Sequence, residues 1–245
     1  METVMSNKLC ARELGFRALN DAVRGLTGEI CIGDCFGERY IGASATGKTI
    51  IINGTPGNAL GAYLDGADIV VNGNAQDAVG DTMNDGRIVV HGSAGDALGY
   101  GMRGGVIYVR DNSGYRTGIH MKQYMDKRPV IMVGGSAGSF LGEYIAGGLI
   151  IVLGIGAGGA PPVGRFTGTG MHGGAIFLRC DGAPDDLPEQ VACAAATPED
   201  KRRIERYVRE FSEIFGLDAD ELLESSFFVL TPNASNPYKQ LYTAN

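Results

Sequence analysis

The chain has 245 residues, with 39 Gly, 9 Pro and no Trp. Glycine is at roughly twice its usual ~7%, and 36 of the 39 lie between Leu26 and Ala183. They are too irregular for a collagen-like repeat, and the Val/Ile/Leu runs between them exclude disorder. The net charge is −7, and residues 184–245 hold twelve acidic against six basic residues, so a near-neutral body carries an acidic end and nucleic acid is excluded as a ligand class.

In chain order, Leu9 to Gly25 reads as a helix. Glu29-Ile-Cys-Ile-Gly33 then reads as a degenerate first unit of a repeat. Three clear copies follow. Ile50-Ile-Ile-Asn-Gly54 leads to Asn58-Ala-Leu-Gly61, Ile69-Val-Val-Asn-Gly73 to Asp77-Ala-Val-Gly80, and Ile88-Val-Val-His-Gly92 to Asp96-Ala-Leu-Gly99. The spacing is nineteen. It continues through Val106-Ile-Tyr-Val109 to Gly118, then slips by five before Val130-Ile-Met-Val133 and Gly142. Leu149–Leu153 and Ala175–Leu178 begin the last units. Each run is β-branched and too short for a helix, and one short strand per period of about twenty is a stacking signature.

The expected architecture is an all-β solenoid: a right-handed parallel β-helix of about seven rungs, with α-helical caps. The expected divisions are residues 1–25 as an N-terminal capping helix, 26–183 as the β-helix and 184–245 as an acidic helical cap. In that last part Thr197 caps a helix that starts at Pro198 and ends at Gly216, with Ile204, Tyr207, Val208, Phe211 and Phe215 at helical spacing. Asp218-Ala-Asp-Glu221 resembles a capping box for a second short helix, and Phe227–Leu230 reads as a strand.

Two motifs look like chemistry and lack their context. Gly42-Ala-Ser-Ala-Thr-Gly47-Lys48-Thr49 has the letters of a phosphate-binding loop, but a strand follows it where a helix is required. Gly154-Ile-Gly156-Ala-Gly-Gly159 has the glycines of a dinucleotide fingerprint, but Ala160-Pro161-Pro162 follows. Neither is read as a nucleotide site. The Asp77 and Asp96 column could look like a catalytic carboxylate pair, but its recurrence with the repeat marks a structural corner. Cys31 reads as a buried small hydrophobe, His91 as a turn residue, and His120 and His172 stand in irregular segments. No catalytic, cofactor-binding or metal-ligating set is assigned.

Two excursions break the repeat, Ile119–Arg128 and Ile155–Met171. Such departures often carry contacts. Tyr124, Arg128 and Arg165 are therefore the candidate interface residues, facing a partner subunit or a second copy of the chain. The five cysteines form no disulfide-like framework. There is no hydrophobic leader and no apolar run of about 18 residues. The expected protein is reduced, cytoplasmic and without a membrane partner.

Gly54-Thr-Pro-Gly-Asn-Ala-Leu-Gly61, Asn72-Gly-Asn-Ala-Gln-Asp-Ala-Val-Gly80 and Gly104-Gly-Val-Ile-Tyr-Val109 carry a family likeness. The run from about Leu26 to Cys180 resembles the GXGXG domain, the third, C-terminal domain of the glutamate synthase large subunit. It also shares its repeat with the C subunit of formylmethanofuran dehydrogenase. The resemblance implies a free-standing, non-catalytic structural subunit. Its partners would be a glutaminase (amidotransferase) subunit and an FMN-binding synthase subunit, with FMN and an iron–sulfur cluster held in those partners and no cofactor here. Self-association is left open. A β-helix subunit of a formylmethanofuran-dehydrogenase-like complex, or an independent β-helix enzyme, are the alternatives.

Overall fold

A computed structural model describes residues 7–233. Residues 1–6 of the expected N-terminal cap and 234–245 of the acidic end lie outside the described residues. Strand β1 (Asn7–Cys10) leads into helix α1 (Ala11–Gly25). Strands follow at Gly28–Phe36 (β2), Lys48–Thr55 (β3), Asp65–Asn72 (β4), Asp85–Val90 (β5), Val106–Val109 (β6), Val130–Val133 (β7), Ala146–Val152 (β8), Gly173–Arg179 (β9) and Val191–Ala195 (β10). The chain ends in α2 (Pro198–Phe215), α3 (Ala219–Glu224) and β11 (Phe227–Pro232).

These strands form one eleven-stranded sheet in the order β1 to β9, then β11 and β10. From β1 to β9 every pairing is parallel, whereas β11 runs antiparallel to both β9 and β10. The nineteen-residue spacing sets the register: Ile51 faces Val70, and Val70 faces Val89.

The expected β-helix of about seven rungs with helical caps is corrected by this topology. The molecule is a single, mostly parallel eleven-stranded sheet with flanking helices, and its last two strands turn antiparallel. Helix α2 does not close an end. It lies on a face of the sheet, where Ile204, Tyr207, Val208 and Phe211 pack with Tyr108, Met132, Ile151 and Phe177. The physical reason is visible strand by strand. In β3 and β4 only alternate residues are buried, while β7 is buried at all four positions, β8 at six of seven and β9 at four consecutive positions, Ala175–Leu178. A strand apolar on both faces needs cover on both, and α2 supplies the second cover. Leu9 and Cys10 were also expected in the first helix but lie in β1, paired with β2.

The other face of the sheet packs on the segments that return between strands, such as Leu60, Val79, Leu98 and Leu141 against Ile50, Ile88, Ile131 and Ile150. No helix intervenes in these returns. Their glycines have a packing reason. Gly61, Gly80, Gly99, Gly118 and Gly142 all have φ between +63° and +70°. A Cβ at Gly99 would stand 2.3 Å from Ile131 Cδ1, and one at Gly80 would stand 2.4 Å from Ile107 Cδ1. The strand isoleucine fills the space a side chain would need.

Helix α2 starts on a capping box in which Thr197 and Asp200 bond reciprocally, and it ends at Gly216 with φ 69°. Asp218 accepts from the Asp220 and Glu221 N–H groups to start α3. Helix α2 has the expected cap at each end, while α3 has the expected N-cap at Asp218 without the reciprocal bond of a capping box.

Candidate functional site

The return segments build one surface from three columns of residues. In the first, Asp77 donates its N–H to Asn58 Oδ1 (3.3 Å), Asp96 to Asp77 Oδ1 (2.9 Å) and Tyr115 to Asp96 Oδ1 (2.8 Å). These carboxylates are committed to backbone bonds between neighbouring returns, which is a structural corner. Further along, the Arg165 N–H donates to Ser139 Oγ at 3.1 Å, so Arg165 falls in this same column.

The second and third columns consist of positive-φ residues. Ala59, Ala78 and Ala97 are succeeded by Arg116, Phe140 and Phe166, all with φ between 56° and 63°. Four residues on, Tyr63, Thr82 and Gly101 are succeeded by His120 and Tyr144, with φ between 53° and 58°. Backbone bonds from Arg116 to Ser139, Phe140 to Arg165, His120 to Glu143 and Tyr144 to Thr169 keep this register across both slips of the repeat.

At the later returns the columns become aromatic and basic. Phe140 and Phe166 stack with centroids 5.0 Å apart at 21°, and His120 and Tyr144 stack at 5.2 Å and 9°. Tyr100 meets His120 edge-on at 5.9 Å. The Arg116 guanidinium lies 5.2 Å from the Phe140 ring centre and pairs with Glu143 at 3.2 Å. Spacing over the first returns did not reveal this cluster. Carrying the nineteen-residue register through the longer units would have placed Phe140 and Phe166 where Ala97 stands.

The first excursion is smaller than its sequence suggests. His120 and Lys122 remain in the ladder, through bonds to Glu143 and Met102. The extra residues form a tight turn in which Tyr124 and Lys127 exchange backbone bonds of 3.2 and 3.0 Å. Lys127 anchors it to Asp85 at 2.9 Å and Asp65 at 3.7 Å, and its ammonium holds the Asp85 carboxyl below the usual range. Tyr124 is exposed, Met125 is 78% exposed, and Arg128 is exposed after the turn. Tyr124 thus lies on the turn and Arg128 just after it, while Arg165 lies on the ladder beside Phe166.

The phosphate-loop lookalike has a structural use. Lys48 Nζ donates to the Val23 and Leu26 carbonyls at 2.7 and 2.5 Å, holding the end of α1. The second glycine run packs on Asp181, whose N–H donates to the Gly159 carbonyl at 2.9 Å. His91 meets the Phe215 ring edge-on, and burial lowers its basicity first, with Arg110 adding to this. His172 Nδ1 lies 3.0 Å from the Gly170 carbonyl.

Cys31 is half-buried in β2, and its Sγ lies 3.9 Å from Glu29 Oε1, short of the full burial expected for it. Cys35 is buried, and burial pushes its thiol up to about 12, with Glu38 adding to the effect. A metal or cluster ligand needs the opposite, a stabilised thiolate. Among the described residues no group of three or more His, Cys, Asp or Glu could hold a metal ion. No helix among them is long and apolar enough to cross a membrane.

The GXGXG motif family matches residues 19–232, from within α1 to the end of β11. The chain belongs to the GXGXG motif family. Protein MJ1350 of Methanocaldococcus jannaschii, itself uncharacterized, is 44% identical over 135 residues. That match covers 53% of this chain and 52% of the relative, so the chain spans about half the length of the curated relative it matches. Among solved structures, this GXGXG chain is similar to a chain in the X-ray crystal structure of the formyltransferase/hydrolase complex (FhcABCD) from Methylorubrum extorquens in complex with methylofuran. The TM-score is 0.61 and the identity 18%, covering 85% of this chain and 79% of that one. At that identity the likeness speaks for a shared fold.

Proposed function

We propose that this GXGXG chain is a non-catalytic structural subunit of a glutamate-synthase-like complex, holding a glutaminase subunit and an FMN-binding synthase subunit in register. The observation that carries the reading is the family match over residues 19–232, which includes the Gly73-Asn-Ala-Gln-Asp-Ala-Val-Gly80 stretch. The commitment of Asp77, Asp96 and Lys48 to backbone bonds supports it, because the groups that most resemble catalytic machinery are structural. The partners would hold the FMN and the iron–sulfur cluster that supply the reducing chemistry. This chain would contribute a rigid surface on which Tyr124, Arg128 and Arg165 are exposed.

A second reading is a structural subunit of a formyltransferase/hydrolase-type assembly, favoured by the similarity to a chain of FhcABCD. The two separate on one experiment. The assembly purified from the native source is tested for glutamine-dependent glutamate formation and for formyl transfer. Glutamate formation that requires this chain, with glutamine hydrolysis uncoupled in its absence, supports the first reading. Formyl transfer supports the second. Full activity of either kind in the chain alone overturns both.

A further inference from the structure

We infer that the hollow between α1 and the first return, residues 37–47, binds a free α-amino acid with an apolar or aromatic side chain. The inference goes beyond the subunit reading and does not depend on it.

The ladder of backbone bonds begins at this return, so its polar groups lack the neighbour that every later return has. In later returns a glycine N–H donates backwards, as from Gly61 to Ile41, Gly80 to Leu60 and Gly99 to Val79. Four residues on, a second N–H does the same, from Asp65 to Ala45, Asn84 to Leu64 and Arg103 to Met83. One step of nineteen earlier these positions are Gly42 and Thr46, and their N–H groups have no partner among the described residues. The carbonyls show the converse. Ala62 accepts from Ser44 and Asp81 from Tyr63, but the Ala43 carbonyl, one step earlier, accepts from no described residue. A further carbonyl, that of Arg39, is met by α1 through Asn20 Nδ2 at 2.8 Å. That bond shows that the open side of the ladder faces α1.

Gly42, Ala43 and Thr46 line a hollow of about 180 Å³ with Asn20, Val23 and Lys48. Gly42 is buried, and a buried N–H without a partner is rare. Asn20 is buried too. Its Nδ2 serves the Phe16 and Arg39 carbonyls, while its Oδ1 accepts from no described residue. Two open donors and two open acceptors therefore share one space.

This inventory selects the ligand. A carboxylate accepts from the Gly42 and Thr46 N–H groups, and an ammonium donates to the Ala43 carbonyl and Asn20 Oδ1. Lys48, two residues from Thr46, adds a charge that no carboxylate cancels, because its Nζ is held by backbone carbonyls. Asp21, at the mouth, is paired with Arg24. An α-amino acid carries both groups on one carbon, and both are charged at neutral pH. A second hollow continues past Asn20, Arg24 and Ala43 to the rings of Phe16 and Tyr40, which suits an apolar or aromatic side chain. The far end of the ladder also has open N–H groups, at Val163, Phe166 and Gly170. There Asp185 and Asp186 line the hollow beside Val163 and repel a carboxylate, so that end serves as an internal control.

The test titrates the full chain with L-phenylalanine. N-acetyl-L-phenylalanine and L-phenylalaninamide are the analogues, each lacking one of the two charged groups. Binding is read by calorimetry and by amide shifts in isotope-labelled protein. The expected result is saturable binding of L-phenylalanine, with shifts at Gly42 and Thr46 and none at Val163, Phe166 and Gly170. Each analogue should bind about tenfold more weakly or worse. Phe16→Ala should weaken L-phenylalanine by about fivefold and leave L-alanine unchanged. Its melting temperature is measured, and if it does not fold, Tyr40→Ala replaces it, since Tyr40 is 53% exposed. Absence of L-phenylalanine binding up to about 10 mM, an analogue that binds as well as the parent, or equal shifts at the far end overturns the inference and leaves the open groups to water.

Discussion

Gly99 offers a direct test of why the glycines recur every nineteen residues. The substitution Gly99→Ala places a methyl group at φ +66°, 2.3 Å from Ile131 Cδ1, 3.2 Å from Ile131 Cγ1 and 3.7 Å from the Met102 sulfur. Ile131 and Met102 are fully buried, so neither can retreat into solvent. Left-handed backbone costs a non-glycine residue about 1–2 kcal/mol. Overfilling a packed core costs about 1–3 kcal/mol more. The expected loss is therefore about 2–5 kcal/mol, at about 2–4 °C per kcal/mol for a chain of this size. It is measured by urea unfolding followed by circular dichroism. The companion Ile131→Val removes the Cδ1 carbon and leaves Cγ1 at 3.2 Å. In the double variant the steric part should largely disappear and the backbone part remain, giving a favourable coupling of about 1–2 kcal/mol. The contrasting Ala97→Gly, two residues away at φ 56°, should be within about 1 kcal/mol of neutral, as relief of strain offsets added freedom in the unfolded chain. A loss below about 1 kcal/mol for Gly99→Ala, or no coupling to Ile131→Val, would refute the argument that the strand isoleucine dictates the glycine.

Lys48→Met should destabilise the protein by about 1–2 kcal/mol and make α1 the first site of limited proteolysis, with no change in the lack of protection expected from ATP; protection by ATP that depends on Lys48 would restore the phosphate-loop reading. Cys35 should resist Ellman's reagent at pH 8 until the chain is unfolded. Because its folded thiol titrates near 12, this group's contribution to stability is complete below the ordinary thiol range near 8.5 and is lost as pH rises toward 12, which denaturant titrations of wild type and Cys35→Ala at pH 8 and 10.5 would detect as a smaller alkaline decline in the variant. Replacing Tyr124 and Arg128 with Ala should weaken assembly with the native partners by about 1–4 kcal/mol while leaving the melting temperature of the chain nearly unchanged, since both side chains are exposed on or just after the turn; equal assembly in ultracentrifugation would return them to solvent.

The sequence by itself determined the repeating strands, their parallel register, both ends of the first C-terminal helix and the start of the second. These rest on local terms: β-branched runs of strand length, an exact nineteen-residue spacing, Thr197 with Pro198 at one helix end and Gly216 at the other. Such features act within a few residues or one repeat, so the letters suffice. The sequence also marked the Asp77 and Asp96 column as a corner, because a residue that recurs with the repeat answers to the repeat.

What only the tertiary structure decided is where the helices go and which side chains meet. Helix α2 was legible as a helix but not as a cover for Tyr108, Met132, Ile151 and Phe177. The signal was present in the doubly apolar strands β7 to β9, yet an apolar face does not name its partner. Likewise β1 and β10, Asn7-Lys-Leu-Cys10 and Val191-Ala-Cys-Ala-Ala195, lack the β-branched runs that announce the other strands. Their existence depends on the strands beside them, which supply the hydrogen bonds. The aromatic patch depends on two slips in the repeat, after Gly118 and after Gly142. The extra residues are absorbed in turns while the ladder keeps its register, and that bookkeeping is done by backbone hydrogen bonds between segments distant in sequence.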